Sequence, residues 1–167
     1  AGAIDDSGAP ISGVYEATGK TRIRGGELEI SGYLTPDWEV LAGYTYMKTE
    51  NLAGDDNALF ALMPQHQASL WTKYTLPGGA LRGLGIGGGV TAMSDYYIER
   101  AGSPRLSAPG YAVVDAKLSY PITDKLTGTF DVNNLLDRKY VSRVGSVGTF
   151  NFYGPSRSFT VGARYEF

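Results

Sequence analysis

The stretch that decides the fold is RSFTVGARYEF, residues 157–167. Apolar residues alternate in it with polar or small ones, without interruption from Phe159 to Phe167. A period of two is typical of a β-strand with one apolar and one polar face. The stretch closes on an aromatic residue, with Tyr165 two positions before it, as in strands whose apolar face meets lipid and ends in an aromatic girdle. The stretch therefore predicts a transmembrane β-strand.

The composition excludes several classes of protein. With 15 Lys and Arg against 17 Asp and Glu, the 167 residues carry a net charge of −2, which offers nucleic acid no basic surface. The absence of cysteine excludes disulfide frameworks, thiolate nucleophiles and cysteine metal sites. No run of about 18 apolar residues is present, which excludes a transmembrane helix. A mean hydropathy of −0.16 is compatible with a membrane barrel, because only half of each strand faces lipid. The first ten residues lack an export signal, which for an exported protein implies cleavage or truncation.

Six further segments show the same alternation, so seven strands are predicted in all. The other six span residues 24–34, 38–46, 67–74, 84–92, 112–120 and 126–133. Short turns with Pro and Gly or Asp follow at 35–37, 76–79 and 121–124, whereas long connections run over 48–65, 95–109 and 137–156. Strict alternation of short and long connections is typical of outer-membrane barrels, which have tight periplasmic turns and long outer loops. Residues 1–20 are then expected to form an outer loop or a partial strand around residues 11–17.

A soluble barrel of the lipocalin type is the main alternative fold. Its apolar face would point inward and its outer face would carry many charges. In the central parts of the seven segments, one face has no charge, and the charges share the other face with Gly, Ser and Thr. A Lys or Arg at the lipid midplane costs about 2–4 kcal/mol, which accounts for this segregation. The sequence therefore favours an all-β, antiparallel up-and-down transmembrane barrel.

Seven is an awkward number of strands, because bacterial single-chain barrels have even counts and no open edges in lipid. Two explanations stay open. Residues 3–18 could supply an eighth strand and close a small structural or adhesive barrel, or the chain could be part of a larger barrel. We expect the second, because the segment at 11–17 is short and irregular.

Specific motifs add a family resemblance. Residues 131–140, DVNNLLDRKY, are similar to a signature near the end of TonB-dependent outer-membrane receptors, and Gly154 to Arg157 are similar to the segment before their final strand. Residues 18–29, TGKTRIRGGELE, resemble a stretch of the ferric-siderophore branch, with Ile23 and Gly26 as departures. Tyr165 and Phe167 resemble the terminal signal recognised by the barrel-assembly machinery.

The resemblance implies the last third of a 22-stranded, plugged barrel in the bacterial outer membrane. Such receptors import ferric siderophores with energy from the TonB complex. The plug and the TonB box are expected to be absent from this chain, so the chain alone is expected to transport nothing. Lipid, the siderophore and TonB are the expected partners. No cofactor and no enzymatic activity are expected.

Candidate sites divide into two groups. Two aromatic and two cationic side chains of the outer loop at 95–109 could contact an anionic iron chelate: Tyr96, Tyr97, Arg100 and Arg105. The two tyrosines could equally belong to the outer aromatic girdle. Five residues of the signature are expected to be structural, bonding to backbone where a strand ends: Asn133, Asn134, Leu135, Asp137 and Tyr140.

Three other features are weaker signals. His66, the only histidine, is expected to be a polar residue at a strand mouth. Asp55 and Asp56 lack the Gly and the distal Glu of a calcium loop and are expected to be solvated. The run GIGGG at 85–89 lacks the Lys-Ser/Thr of a phosphate loop, so close packing or relief of crowding in the lumen explains it better.

Overall fold

The computed structural model describes residues 2–4, 6–15, 21–52, 63–98, 104–145 and 147–167, and all the regular structure within them is β. In chain order, the strands are β1 Gly2–Ile4, β2 Pro10–Tyr15, β3 Thr21–Thr35, β4 Trp38–Asn51, β5 His66–Thr75, β6 Gly85–Met93, β7 Tyr96–Ile98, β8 Leu106–Ala108, β9 Tyr111–Pro121, β10 Leu126–Asn133, β11 Val141–Arg143, β12 Phe152–Tyr153 and β13 Ser158–Tyr165. No helix in this part of the chain is long and apolar enough to cross a membrane.

Seven of the strands form one antiparallel sheet in the order β13-β10-β9-β6-β5-β4-β3. Each strand pairs with its neighbours in sequence once the short hairpins are set aside, which is an up-and-down arrangement. The predicted all-β, antiparallel fold with seven main strands is therefore confirmed. Over the described residues the sheet is open: β13 pairs with β10 alone, and β3 with β4 alone. The predicted alternative of a small barrel closed by residues 3–18 is not observed, because β1 and β2 pair only with each other.

The register divides the sheet into two faces that stay in phase across all its strands. The row Leu28, Tyr44, Ala68, Ala92 and Ala112 runs along one face, and each residue is the direct partner of the next. Successive rows alternate between apolar and polar side chains, because successive side chains of a strand point to opposite sides of the sheet. We call the face that carries this row the apolar face and the opposite one the polar face.

The apolar face is not covered by the rest of the chain. Leu28 and Ile30 on the first strand are 58% and 56% exposed, and Val161 on the last is 81% exposed. An uncovered apolar surface across seven strands is far larger than a soluble monomer tolerates, so it requires an apolar environment.

Aromatic residues lie on the apolar face toward both ends of the strands. Trp38 pairs with Tyr74 toward the end where the short turns lie, and Tyr165 lies at the corresponding end of β13. We call Tyr44, Tyr46 and His66 the upper girdle, at the end of the long connections. The Tyr44 hydroxyl lies 2.7 Å from His66 Nδ1. The only histidine is thus a member of an aromatic girdle.

The glycines of β6 make room on the polar face for a tryptophan. Trp71 is the direct partner of Gly89, and its indole lies against Gly87 as well. A Cβ at Gly89 would overlap the indole, and one at Gly87 would lie 2.9 Å from Trp71 Cζ2. Gly88 points to the apolar face, where a Cβ would make only ordinary contacts. The GIGGG run therefore relieves crowding between strands.

Some predicted strand limits differ from the structure. β4 continues to Asn51, so the first long connection starts later than predicted, and β13 ends at Tyr165. Two of the predicted long connections contain short hairpins, β7–β8 and β11–β12. Asp55 and Asp56 lie outside the described residues.

Candidate functional site

Asn134 is the centre of a hydrogen-bonded cluster where β10 ends and the last long connection begins. Its side chain is 3% exposed. The amide Nδ2 donates to the Arg138 carbonyl at 2.9 Å and to the Pro155 carbonyl at 3.0 Å, while Oδ1 accepts from the Arg138 N–H at 2.8 Å. The residue has a φ of 51°, a left-handed conformation that asparagine tolerates better than most residues. Asn134 therefore closes a five-residue turn and fixes it to the segment before the closing strand.

The same turn is held to the neighbouring strand β9. The Asn134 N–H donates to Asp115 Oδ1 at 2.8 Å, and the Leu135 N–H donates to the Val114 carbonyl at 2.7 Å. On its other side, Asp137 Oδ1 accepts the Arg157 N–H at 3.0 Å. The turn thus connects β9 to the start of β13 across the end of β10.

Tyr140 and Gly154 form a second contact between the two ends of this connection. The Gly154 N–H donates to the Tyr140 carbonyl at 2.9 Å, and a Cβ at Gly154 would overlap the Tyr140 ring. The same ring lies 4.1 Å, centroid to centroid, from that of Tyr111 at the start of β9. Asn133, by contrast, is exposed and makes one long bond of 3.4 Å to the Ser158 hydroxyl.

Tyr96 lies in a small buried core between two outer connections. We call Tyr96, Ile98, Ala108 and Val144 the outer-loop core; each is at most 7% exposed. The Tyr96 hydroxyl donates to the Ser142 carbonyl and accepts the Val144 N–H, both at 3.3 Å. The hairpin β7–β8 is thereby attached to β11 of the next connection.

Tyr97 points the other way and is paired with Arg105. The Arg105 guanidinium carbon lies 3.4 Å from the centroid of the Tyr97 ring, a close cation–π stack. Arg105 is exposed and Tyr97 is half-buried. The structure thus brings Tyr97 and Arg105 together and separates them from the buried Tyr96. Arg100 lies outside the described residues.

A cavity of about 340 Å³ adjoins Tyr97 at the upper end of the sheet. Its lining mixes thioether, imidazole, hydroxyl, carboxylate and aromatic groups: Met47, Thr49, Met63, Gln65, His66, Ser94, Asp95, Tyr96 and Tyr97. Its volume falls in the lower part of the range of small-molecule sites. The described residues contain no cluster of His, Asp or Glu suited to a metal ion.

The residues predicted as an assembly signal lie at the other end of the sheet. The Tyr165 and Phe167 rings meet edge to face with centroids 5.3 Å apart. Phe167 is fully exposed, and the Glu166 N–H between the two donates to the Lys125 carbonyl at 2.9 Å.

Two residues of the Asn134 cluster were not singled out from the sequence. Asp115 accepts the Asn134 N–H, and Pro155 supplies a carbonyl to its amide. Asp115 is one of several polar residues alternating along β9, and nothing in that alternation distinguishes it. Pro155 lies within the quoted 154–157 motif, which could have indicated it.

Comparisons with known proteins agree with this architecture. The family model described as TonB dependent receptor-like, beta-barrel matches residues 2–135. The ferric-pyoverdine receptor PbuA of a Pseudomonas species is 34% identical over 99% of this chain, and the match covers 21% of that receptor. The catecholate siderophore receptor Fiu of Escherichia coli is 30% identical over 93% of this chain, again covering 21% of the relative.

A solved structure gives the same result. The pyoverdine outer membrane receptor FpvA of Pseudomonas aeruginosa, bound to pyoverdine, superposes with a TM-score of 0.78 at 31% identity, over 98% of this chain and 23% of that one. The chain therefore spans about a fifth of the length of the curated receptors it matches.

Proposed function

The chain belongs to the TonB-dependent receptor-like β-barrel family and is a protein of the bacterial outer membrane, and from this premise we propose that it forms part of a receptor that imports ferric siderophores. Uptake is driven by the TonB system. The relatives matched here are named as receptors for siderophores of two kinds, pyoverdine and catecholates. These names support the substrate class and leave the particular chelate open.

One observation within the chain supports a ligand-binding role: Tyr97 lines the cavity at the upper end of the sheet, and Arg105 stacks on its ring. The stack on the tyrosine ring holds an exposed guanidinium in place. A held guanidinium offers several donors to the oxygens of an anionic iron chelate, and the ring offers stacking area. We assign Tyr97 and Arg105 to siderophore contact, and Arg100 of the same loop to a supporting charge.

Tyr96 and the signature residues have a supporting role in this proposal. Tyr96 joins two outer connections through its hydroxyl, and Asn134 and Asp137 fix the start of the last one. These contacts hold the outer connections on the sheet, so their role is in the stability and assembly of the barrel rather than in contact with the ligand. Tyr165 and Phe167 serve recognition by the barrel-assembly machinery, a role suited to their exposed position at the end of the last strand.

The experiment is done in the whole receptor of which this chain is proposed to form part, and it compares Arg105→Ala and Tyr97→Ala with the unsubstituted receptor, the parent, in outer membranes. Loss of a partly desolvated cation–π and charge contact costs roughly 1–2 kcal/mol, so each variant should bind its ferric siderophore about tenfold more weakly. Binding is measured by quenching of intrinsic fluorescence against a panel of ferric pyoverdines and catecholates. Arg82→Ala, an exposed arginine in a turn at the opposite end of the sheet, is the matched control.

Uptake of labelled iron with and without an energised TonB system tests the transport step. The proposal requires saturable uptake that stops when TonB is absent. If no ferric siderophore in the panel binds the parent protein, the substrate class is wrong. If the parent binds and both loop variants bind equally well, the assignment of Tyr97 and Arg105 is wrong.

A further inference from the structure

The charges on the apolar face are confined to one corner of the sheet. In the seven strands of the described sheet, this face carries Asp, Glu, Lys or Arg only beyond the upper girdle, at Arg22, Arg24, Lys48 and Glu50. The register places Arg24 directly opposite Lys48, and Arg22 directly opposite Glu50. We call these four residues the rim patch.

The height of the rim patch matches that of lipid headgroups. Trp38 and Tyr46 mark the two ends of the apolar stretch of β4. Eight residues at a rise of about 3.4 Å and a tilt of about 40° span roughly 21 Å, close to the apolar band of about 25 Å in membrane barrels. Lys48 is two residues further along the strand, roughly 5 Å above the girdle by the same geometry. The patch thus faces outward at the level where phosphate groups of the outer leaflet lie.

The rim patch has an excess of positive charge. It contains three cations and one carboxylate. The Lys48 ammonium lies 3.0 Å from Glu50 Oε1, and their hydrogen bond raises the pKa of Lys48 and lowers the pKa of Glu50, so both stay ionised at neutral pH. Neither Arg22 nor Arg24 has an ion-pair partner in the part of the chain that the structure describes. Two guanidinium groups therefore remain available to an external anion.

We propose that the rim patch binds the phosphate group of a phosphorylated glycolipid in the outer leaflet, from the outside of the barrel. Guanidinium groups match phosphate oxygens with paired donors, and Lys48 adds a point charge. The tyrosines of the upper girdle lie below the patch and pack against the adjoining part of the lipid. This proposal rests on the location in the outer membrane and is independent of the siderophore assignment.

The test uses the protein purified from outer membranes in a non-ionic detergent. A bis-phosphorylated glycolipid is titrated in, and bound lipid phosphorus per protein is measured together with the thermal unfolding midpoint. Arg24→Gln/Lys48→Gln is compared with Arg82→Gln/Lys125→Gln, which removes the same charge from exposed turns at the opposite end of the sheet. The first variant should bind the glycolipid at least tenfold more weakly, and the second should bind as the parent does. Unchanged heat-modified migration in gels verifies that both variants are folded.

Two further arms separate the alternatives. Glu50→Gln removes the competing carboxylate and should tighten glycolipid binding several-fold. The dephosphorylated glycolipid should bind all variants equally weakly, and millimolar inorganic phosphate should not displace the lipid. Equal binding by the parent and Arg24→Gln/Lys48→Gln would overturn the proposal. Complete displacement by inorganic phosphate would also overturn it, because the patch would then be a site for the free ion.

Discussion

Replacement of Asn134 by alanine should destabilise the outer end of the sheet while leaving siderophore affinity unchanged. The substitution removes three hydrogen bonds of 2.8, 2.9 and 3.0 Å from a side chain that is 3% exposed. At about 0.5–1.5 kcal/mol each, their loss amounts to roughly 1.5–4.5 kcal/mol. The φ of 51° costs alanine about 1 kcal/mol more. The total destabilisation is therefore about 2.5–5.5 kcal/mol.

Two matched variants separate these contributions. Asn134→Gly loses the same bonds but tolerates the positive φ, so it should be about 1 kcal/mol more stable than Asn134→Ala. Asn133→Ala loses a single exposed bond of 3.4 Å and should change stability by less than about 0.5 kcal/mol. Unfolding by guanidinium in lipid vesicles, followed by heat-modified migration, measures the stability of each variant.

Assembly in cells is the second readout. The level of each variant at the cell surface is measured by external protease, and ferric-siderophore affinity is measured on the protein that reaches the surface. Asn134→Ala, and to a lesser degree Asp137→Ala, should lower the surface level with unchanged affinity. A destabilisation of Asn134→Ala below 1 kcal/mol, or a normal surface level with lost binding, would refute the reasoning.

Three other substitutions test other parts of the fold. Gly89→Ala should destabilise the sheet by about 1–3 kcal/mol, because its Cβ would overlap the Trp71 indole. Gly88→Ala on the apolar face should be nearly neutral. Guanidinium unfolding of the two variants measures the difference, and equal stability would contradict the crowding at Gly89. Lys117 and Asp131 form a cross-strand ion pair with an N–O distance of 2.8 Å, and both side chains are partly exposed to solvent that screens their charges. A double-mutant cycle with alanine should therefore give a coupling energy below about 1 kcal/mol. A coupling energy several times larger would show that solvent does not screen the pair. Tyr96→Phe should speed amide exchange in both outer connections at 95–98 and 141–145 but not in the sheet; unchanged exchange in the second connection would show that the hydroxyl does not join them.

The main sheet could be predicted from the sequence because one physical rule repeats along it. Each of the seven strands of the main sheet separates apolar from polar residues with a period of two across its central part. The alternation of apolar and polar residues stops where the hydrocarbon layer of the membrane ends. Beyond Tyr46 the apolar positions of β4 become Lys48 and Glu50, so the alternation stops although the backbone pairing with β3 continues to Asn51. Polar headgroups and water replace hydrocarbon there, so the strands continue to pair without an apolar face.

The outer-loop residues show what sequence could not resolve. Tyr96 and Tyr97 are adjacent, and in a strand adjacent side chains point to opposite sides, so Tyr96 becomes buried while Tyr97 stacks on Arg105. Which of the two tyrosines becomes buried depends on the next outer connection, because Tyr96 bonds there to the Ser142 carbonyl, which is remote in sequence. The short hairpins were missed for a related reason, since two- and three-residue strands are too brief to show a period.

The signature could be recognised from sequence, but the role of each residue in it could not. Asn133 and Asn134 are chemically identical neighbours. Asn133 is the last residue of β10 and lies on the polar face, whereas Asn134 is the first residue beyond the strand and turns into the interior with a positive φ. Only the end point of the strand distinguishes them, and end points are what periodicity determines least well.

Because the apolar and polar faces keep one register across all seven strands, such a barrel can change the length of a strand during evolution only in certain steps. Insertion or deletion of one residue inside β6 or β9 would turn every following side chain of that strand over, placing residues such as Lys117 against hydrocarbon. Removal of two residues would keep the phase but shorten the span by roughly 7 Å along the strand. Length variation is therefore confined to the outer connections, and new ligand preferences can arise there without disturbing the wall beneath them.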